Sequence, residues 1–204
     1  MLDKDELILI KGNHEDFAQE FVENYKKYLN SDLLFCHHYK NGFIDTISDL
    51  LGLTYQELIE GQKRSIELLK STPFFTKIIP SMLDYYETSN YIFTHGYIPS
   101  NYLGYDGKND LYSYNSAWRN ADENAFKNSR VINGMLANSQ GVKEQGKTIV
   151  CGHFNVNFGH SVLANKCETT DNNAIYTPYY ADGIIAIDAF TKVSNKVNCI
   201  IIED

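Results

Sequence analysis

The sequence predicts an α/β fold in which a single domain spans residues 1–204. Short apolar runs, rich in β-branched and aromatic residues, have the composition of buried strands. Between them, apolar residues recur at the spacing of one helix face. Strands that alternate with helices along the chain are typical of the α/β class. A length of 204 residues is sufficient for one domain with a core and short for two.

Three predicted strands each end close to a glycine and a histidine. These strands cover residues 6–10, 91–93 and 148–151. Two further strands are predicted near the C-terminus, at residues 183–190 and 198–202, with a turn between them. The repeated strand–glycine–histidine pattern is the most informative feature of the sequence.

The first helical pattern follows the first strand. Phe17, Phe21, Tyr25 and Leu29 recur every four residues and predict a helix over residues 16–30. These four side chains would lie on one face of that helix and pack into a core.

Two more helical segments are predicted before the second strand. Thr54 and Glu57 have the spacing of a capping box and predict a helix that extends to about residue 70. Pro73 is expected to begin a third helical piece. Pro80 would interrupt that piece because its nitrogen carries no hydrogen to donate.

The region between the second and third strands is predicted to contain a loop and a helix. Residues 97–115 are rich in Gly, Asn, Asp and Tyr without a clear period, which predicts a long surface loop. A fourth helix is predicted over residues 123–137.

Charge and composition limit the classes of partner. The chain carries 26 acidic against 18 basic residues, a net charge of −8, which argues against general nucleic-acid binding. A phosphorylated substrate is still compatible with this charge, because a bound metal ion can supply positive charge locally. The apolar runs are too short for a membrane span, and the N-terminus lacks the basic region of a signal peptide. We therefore expect a cytoplasmic protein without membrane partners.

The four cysteines are widely separated in the sequence. Cys36, Cys151, Cys167 and Cys199 contain no CxxC pair, so neither a zinc ribbon nor a redox motif is predicted.

The strand ends carry the candidate chemistry. In open α/β sheets, ligands bind beyond the carboxyl ends of the strands, where loops from several strands meet. His14, His95 and His153 each follow a predicted strand, and Asn13 follows the first strand as well. Imidazole is the commonest protein ligand for transition metals, and an amide can add a neutral oxygen. Three such strand ends predict a metal site.

Three short motifs, in this order, resemble a known family. They are GNHE at Gly12–Glu15, THGYIP at Thr94–Pro99 and VCGHF at Val150–Phe154. Together they resemble the last three motifs of the calcineurin-like metallophosphoesterases, most closely the serine/threonine protein phosphatase branch with its bacterial and phage members. The resemblance covers nearly the whole chain and implies a four-layer α/β/β/α sandwich with the metal site at the strand ends.

The resemblance also implies roles for individual residues. Asn13, His95 and His153 would bind one metal ion, the second of a pair. His14 would donate a proton to the leaving-group oxygen as a general acid. Arg119 would grip the substrate phosphate with two hydrogen bonds. The alternative for Arg119 is an ordinary surface ion pair.

The histidines outside the motifs are assigned no role in the site. Many family members carry a second ligating histidine two positions after the one that matches His153, where this chain has Asn155. The protein phosphatase branch manages without that histidine. His160 is expected in a solvent-exposed loop, with a turn back toward the site as the alternative. His37 and His38 are expected to be structural or surface residues.

The two N-terminal motifs of the family, GDxHG and GDxxDRG, have no match in this sequence. They would supply the ligands of the first metal and the bridging carboxylate. The chain is therefore expected to bind at most one metal ion of the two, with manganese favoured and iron or zinc as alternatives. A misassigned start, a separate N-terminal half and a degenerate remnant would each explain the difference.

Three functions are compatible with these motifs. The leading hypothesis is an enzyme that hydrolyses phosphomonoesters, either phosphoproteins or small phosphorylated metabolites. The second is a hydrolase of dinucleoside polyphosphates or cyclic nucleotides, because the same metal core serves both chemistries. The third is a catalytically inactive binding module. Substrate choice would depend on the loops, above all residues 97–115.

Overall fold

The computed structural model describes residues 7–24, 41–167 and 173–203, and shows a mixed α/β protein. Its contacts divide the chain into two compact units. The helical unit comprises Met1–Leu9 and Asn13–Met82, and the sheet unit comprises Ile10–Gly12 and Leu83–Asp204. No helix in the described ranges is both long and apolar enough to cross a bilayer.

The helical unit has its own apolar core. The described elements are α1 (Asn13–Glu23), α2 (Phe43–Leu51), α3 (Tyr55–Glu60), α4 (Gln62–Ser71), a π-helix (Phe74–Ile78) and α5 (Ile79–Ser81). Buried side chains from α1, α2 and α4, among them Ala18, Ile47 and Leu69, pack into one cluster. Burial of these faces is what holds such short helices in place.

The predicted capping box is confirmed. The backbone N–H of Glu57 donates to the Thr54 hydroxyl at 3.3 Å, and the Thr54 N–H donates to the Glu57 carboxylate at 2.8 Å. The helix begins where predicted, but Gly61 separates it into α3 and α4. Pro73 directly precedes the π-helix, and Pro80 lies in the first turn of α5, where a missing N–H costs least.

The first predicted helix begins earlier than expected. Residues 16–30 were predicted, whereas α1 starts at Asn13, so the GNHE motif enters the helix directly. Residues 25–30 lie outside the described part of the chain.

The sheet unit contains a five-stranded sheet and a separate hairpin. Its strands are β1 (Tyr85–Glu87), β2 (Tyr91–Thr94), β3 (Asn101–Tyr105), β4 (Asp110–Ser113), β5 (Thr148–Cys151), β6 (Tyr179–Ala181) and β7 (Ile184–Ala186). The sheet order is β1-β2-β5-β7-β6, with β2, β5 and β7 parallel and an antiparallel strand at each edge. The central strand β5 is buried at three consecutive residues, Ile149, Val150 and Cys151, so both of its faces are covered.

Short helices connect these strands. They are a 3₁₀-helix (Trp118–Asn120), α6 (Glu123–Ser129), α7 (Gly134–Ser139), a π-helix (Gly159–Leu163) and α8 (Thr191–Ser194). The core beneath them includes Ile92, Trp118, Ile149 and Ile184, each at most 1% exposed.

The predicted surface loop at residues 97–115 is wrong, because it contains the hairpin of β3 and β4. Most of β3 is exposed, so it shows no apolar alternation that could have revealed it. The turn is fixed locally, since the Asp106 carboxylate accepts the N–H groups of Lys108 and Asn109 at 2.8 and 2.7 Å. The Gln140 side chain lies along β4, donating to the Asp110 carbonyl and accepting the Tyr112 N–H, both at 2.8 Å.

The strands at the two chain ends also differ from prediction. Within the described part of the run predicted at residues 6–10, which begins at residue 7, the structure shows a single parallel bridge from Ile10 to Leu83 in place of a strand. The run at 183–190 is a strand only at Ile184–Ala186 and pairs with β6, which was not predicted. Residues 198–202 form no strand within the described structure.

The helix predicted over residues 123–137 is two helices. Residues between α6 and α7 leave the helical path, and the Ser129 carbonyl instead accepts the N–H of Tyr97 at 3.0 Å. Asn133 then caps α7, its side chain accepting the Leu136 N–H at 3.2 Å. A polar capping residue inside a helical pattern was the available signal.

Candidate metal centre

Two of the predicted site histidines lie side by side. His95 follows β2 and His153 follows β5, and these strands are parallel neighbours in the sheet. Their carboxyl ends therefore meet at one edge, called here the histidine edge. The two imidazole centroids are 5.2 Å apart, with 56° between the ring planes. Both residues are half-buried.

The backbone ties the two histidines together. The Gly152 N–H donates to the carbonyl of His95 at 2.7 Å. The Phe154 N–H donates to the carbonyl of Gly152, also at 2.7 Å, which closes a three-residue turn centred on His153. His153 has φ = 63°, in the left-handed region that most side chains avoid. Such backbone strain costs of order 1–3 kcal/mol and is concentrated at functional sites.

Close packing supports the turn after β2. A Cβ atom added to Gly96 would lie 2.6 Å from the Ser129 carbonyl oxygen and would also overlap Arg130. Only glycine allows this approach, which explains the glycine beside His95 in the sequence. A Cβ atom added to Gly152 would lie 3.6 Å from its nearest neighbour, the His95 carbonyl oxygen, which is an ordinary van der Waals distance.

The cysteine beneath the pair is a neutral packing residue. Cys151 ends β5 and is 2% exposed. Burial raises the pKa of its thiol to about 12. A thiol that stays protonated is a poor metal ligand, since the thiolate is the form that binds.

Asn13 and His14 belong to the helical unit. Asn13 is the first residue of α1 and is 8% exposed. His14 is exposed, and its ring centroid is 5.5 Å from that of Phe17. Their roles as ligand and general acid remain predictions.

Arg119 lies near the amino ends of the parallel strands, opposite the histidine edge. Its guanidinium binds both carboxylate oxygens of Glu87 at 2.7 and 2.9 Å, and Glu144 at 3.2 Å. Glu87 pairs with Ile92, the second residue of β2, and Lys147 directly precedes β5. Both mark the amino ends of the parallel strands, about 10 Å along the sheet from the histidine edge.

These contacts form a dense charge network. Lys147 adds a 3.0 Å contact to Glu87, and the Trp118 indole N–H donates to Glu144 at 2.9 Å. The Arg119 hydrogen bonds, helped by Lys147, hold the pKa of Glu87 at about 2 against the opposing effect of burial. This placement favours the ion-pair alternative for Arg119, and its phosphate-binding role stays a prediction without support here.

The remaining histidines differ in outcome. The expectation that His160 is solvent-exposed is wrong, because it is only 8% exposed. Its Nε2 lies 3.1 Å from the Thr177 carbonyl oxygen, and its ring packs edge-on against Tyr179. His37 and His38 lie outside the described residues.

An ion pair at the histidine edge was missed by the sequence analysis. The Arg130 guanidinium donates to the carboxylate of Asp84, the residue just before β1. Arg130 is 3% exposed, whereas the Asp84 side chain is 37% exposed. Neither residue belongs to a strand–glycine–histidine pattern, so only the three-dimensional pairing of β1 with β2 brings them here.

The donor set at this edge fits a metal ion in part. Two imidazoles are good ligands for zinc, copper, nickel or iron, whereas manganese prefers oxygen donors. Within the described ranges, no group of three or more His, Cys, Asp or Glu side chains is placed to hold a metal. A site built on His95 and His153 therefore needs a ligand of another type, such as an amide oxygen, or one from elsewhere.

The comparisons with known proteins identify no relative. No family model matches the chain, and neither the curated proteins nor the solved structures include a match.

Proposed function

We propose that the chain is a metal-dependent phosphoesterase that hydrolyses phosphomonoesters, with His95 and His153 as ligands of one metal ion. The observation that carries the proposal is the 5.2 Å approach of these two imidazoles at the carboxyl ends of parallel strands. The four-layer sandwich and the roles of Asn13 and His14 enter the proposal from motif resemblance alone.

The residues would divide the work as follows. His95 and His153 would hold the metal ion through their imidazole nitrogens, and the motif resemblance adds Asn13 as a ligand. A divalent metal ion held there would supply Lewis acidity for hydrolysis of the phosphoester. His14 donates a proton to the leaving-group oxygen. The motif resemblance assigns the carboxylates of a dinuclear centre to the GDxHG and GDxxDRG motifs, which have no match in this sequence.

Metal binding is the first test. Titration calorimetry of the chain with Zn²⁺ and Mn²⁺ should show one site, with zinc bound more tightly because imidazole is the main donor. His95→Ala and His153→Ala should each weaken zinc binding by at least 10-fold. Glu87→Gln, at the opposite edge of the same sheet, is the control and should leave the dissociation constant unchanged. Equal affinity in wild type and both histidine variants would rule out this site.

Hydrolysis is the second test. The chain should release little nitrophenol from para-nitrophenyl phosphate with Mn²⁺, and more when a segment carrying the two N-terminal motifs is supplied. His14→Asn should abolish that gain while metal binding persists. Metal binding without hydrolysis in either form would instead support the inactive binding module.

A further inference from the structure

We propose that Arg130 is a positioning residue for His95, and that it fixes this imidazole by holding the chain on both sides of it. The inference rests on the proposed function, since its purpose would be metal binding. It assigns a role to a residue outside the motifs.

The backbone of Ser129 and Arg130 contacts the chain that follows His95. The Tyr97 N–H donates to the carbonyl of Ser129 at 3.0 Å. Gly96 lies so close to the Ser129 and Arg130 carbonyl groups that a methyl group could not be added there. The backbone of the 129–130 segment therefore forms one wall of the turn that carries His95.

The side chain of Arg130 then reaches the chain on the other side. Its guanidinium binds Asp84, and the next residue, Tyr85, pairs with Thr94 in the antiparallel ladder of β1 and β2. Continued by one residue, that register places Asp84 beside His95. One arginine thus connects the strand next to His95 with the turn after it.

Burial makes this contact hard to replace. A guanidinium that is 3% exposed has lost most of its hydration, so it is destabilising unless a carboxylate compensates. An apolar side chain could fill the same space but could not hold Asp84. The Arg130–Asp84 ion pair fixes the segment at Asp84 relative to the 129–130 segment. Residues that contact metal ligands fix the orientation of those ligands in a similar way in other proteins.

The test compares two arginines of the same sheet. Arg130→Met should lower the melting temperature and weaken zinc binding by about 10-fold in calorimetry at a temperature where the protein is folded. Arg119→Met removes an ion-pair network at the opposite edge, so it should also lower the melting temperature while leaving zinc affinity unchanged. Arg130→Lys keeps the charge and should recover part of the affinity.

A second readout separates this inference from the proposed function. In the metal-free protein, the NMR signals of the His95 ring should shift or broaden in Arg130→Met and stay in place in Arg119→Met. If wild type binds no metal, the proposed function fails and the ring signals alone decide the positioning role. Unchanged ring signals and affinity in folded Arg130→Met would overturn it. Should that variant fail to fold, Arg130→Lys and Asp84→Asn decide by the same two measurements.

Discussion

The amino ends of the parallel strands carry a network of ion pairs, whereas the carboxyl ends carry two neighbouring histidines beside the single Arg130–Asp84 ion pair. At the amino ends, Arg119, Glu87, Glu144 and Lys147 satisfy one another in a closed network of ion pairs. At the carboxyl ends, two half-buried imidazoles face each other 5.2 Å apart, one of them on strained backbone. A closed network stabilises the fold, whereas converging neutral donors can bind an additional group. Charge density alone is therefore a poor guide to function in this sheet.

The largest expected effect is steric and lies at the histidine edge. Gly96→Ala should destabilise the protein by about 3 kcal/mol, because the new methyl group meets backbone carbonyls that cannot move easily. Gly152→Ala, where the nearest atom is 3.6 Å away, should cost less than about 1 kcal/mol. Urea unfolding of both variants measures the difference. Equal losses would mean that the turn after β2 is less tightly packed than described.

The next largest effect is the pH-dependent stability that Glu87 contributes through its ion pairs with Arg119 and Lys147. Glu87→Gln should cost about 1–2 kcal/mol at pH 7, because Arg119 and Lys147 hold the pKa of Glu87 at about 2. A carboxylate whose pKa is lowered by folding stabilises the protein at pH values above its unfolded-state pKa. This stabilisation is lost as the pH falls towards the folded-state pKa. The difference in the free energy of unfolding between wild type and Glu87→Gln, measured by urea unfolding, should thus decrease as the pH falls from about 5 towards 2.

The control for that prediction is a surface pair. Asp182 accepts from Lys143 at 2.7 Å, but its side chain is 91% exposed. Asp182→Asn should change stability less than Glu87→Gln at pH 7, since solvent screens exposed pairs. A gap for Glu87→Gln that is constant across pH would contradict the assigned charge network.

The smallest effect tests the strain at His153. His153→Gly should be more stable than His153→Ala by about 1 kcal/mol, because glycine adopts φ = 63° without a steric penalty. Both variants should lose the proposed metal binding equally. Thermal unfolding of the pair isolates the backbone contribution, and a more stable alanine variant would show that the turn is relaxed.

The sequence predicted what depends on local pattern. The strands predicted at residues 91–93 and 148–151 and the Thr54 cap follow from apolar runs and capping chemistry. All three are present, and the first strand extends one residue further, to Thr94. The approach of His95 to His153 also follows, because residues after parallel neighbouring strands meet at one edge.

What could not be predicted depends on contacts between distant segments. Arg119 and Glu87 are far apart in the sequence, so their pairing at the amino edge leaves no local pattern. The burial of His160 depends on Thr177 and Tyr179, which belong to a later segment. The hairpin strand β3 is exposed along most of its length and lacks the alternation that marks a half-buried strand.

The Gln140 side chain has a consequence for the hairpin beyond local stability. Its amide offers one donor and one acceptor to β4, as a single residue of a neighbouring strand would. The backbone groups of Asp110 and Tyr112 on β4 are thus already bound by the Gln140 side chain. A strand from another molecule would have to displace this side chain before it could pair with β4 at this point. Gln140 therefore blocks strand pairing at the free side of β4, which is one way in which an exposed hairpin avoids self-association.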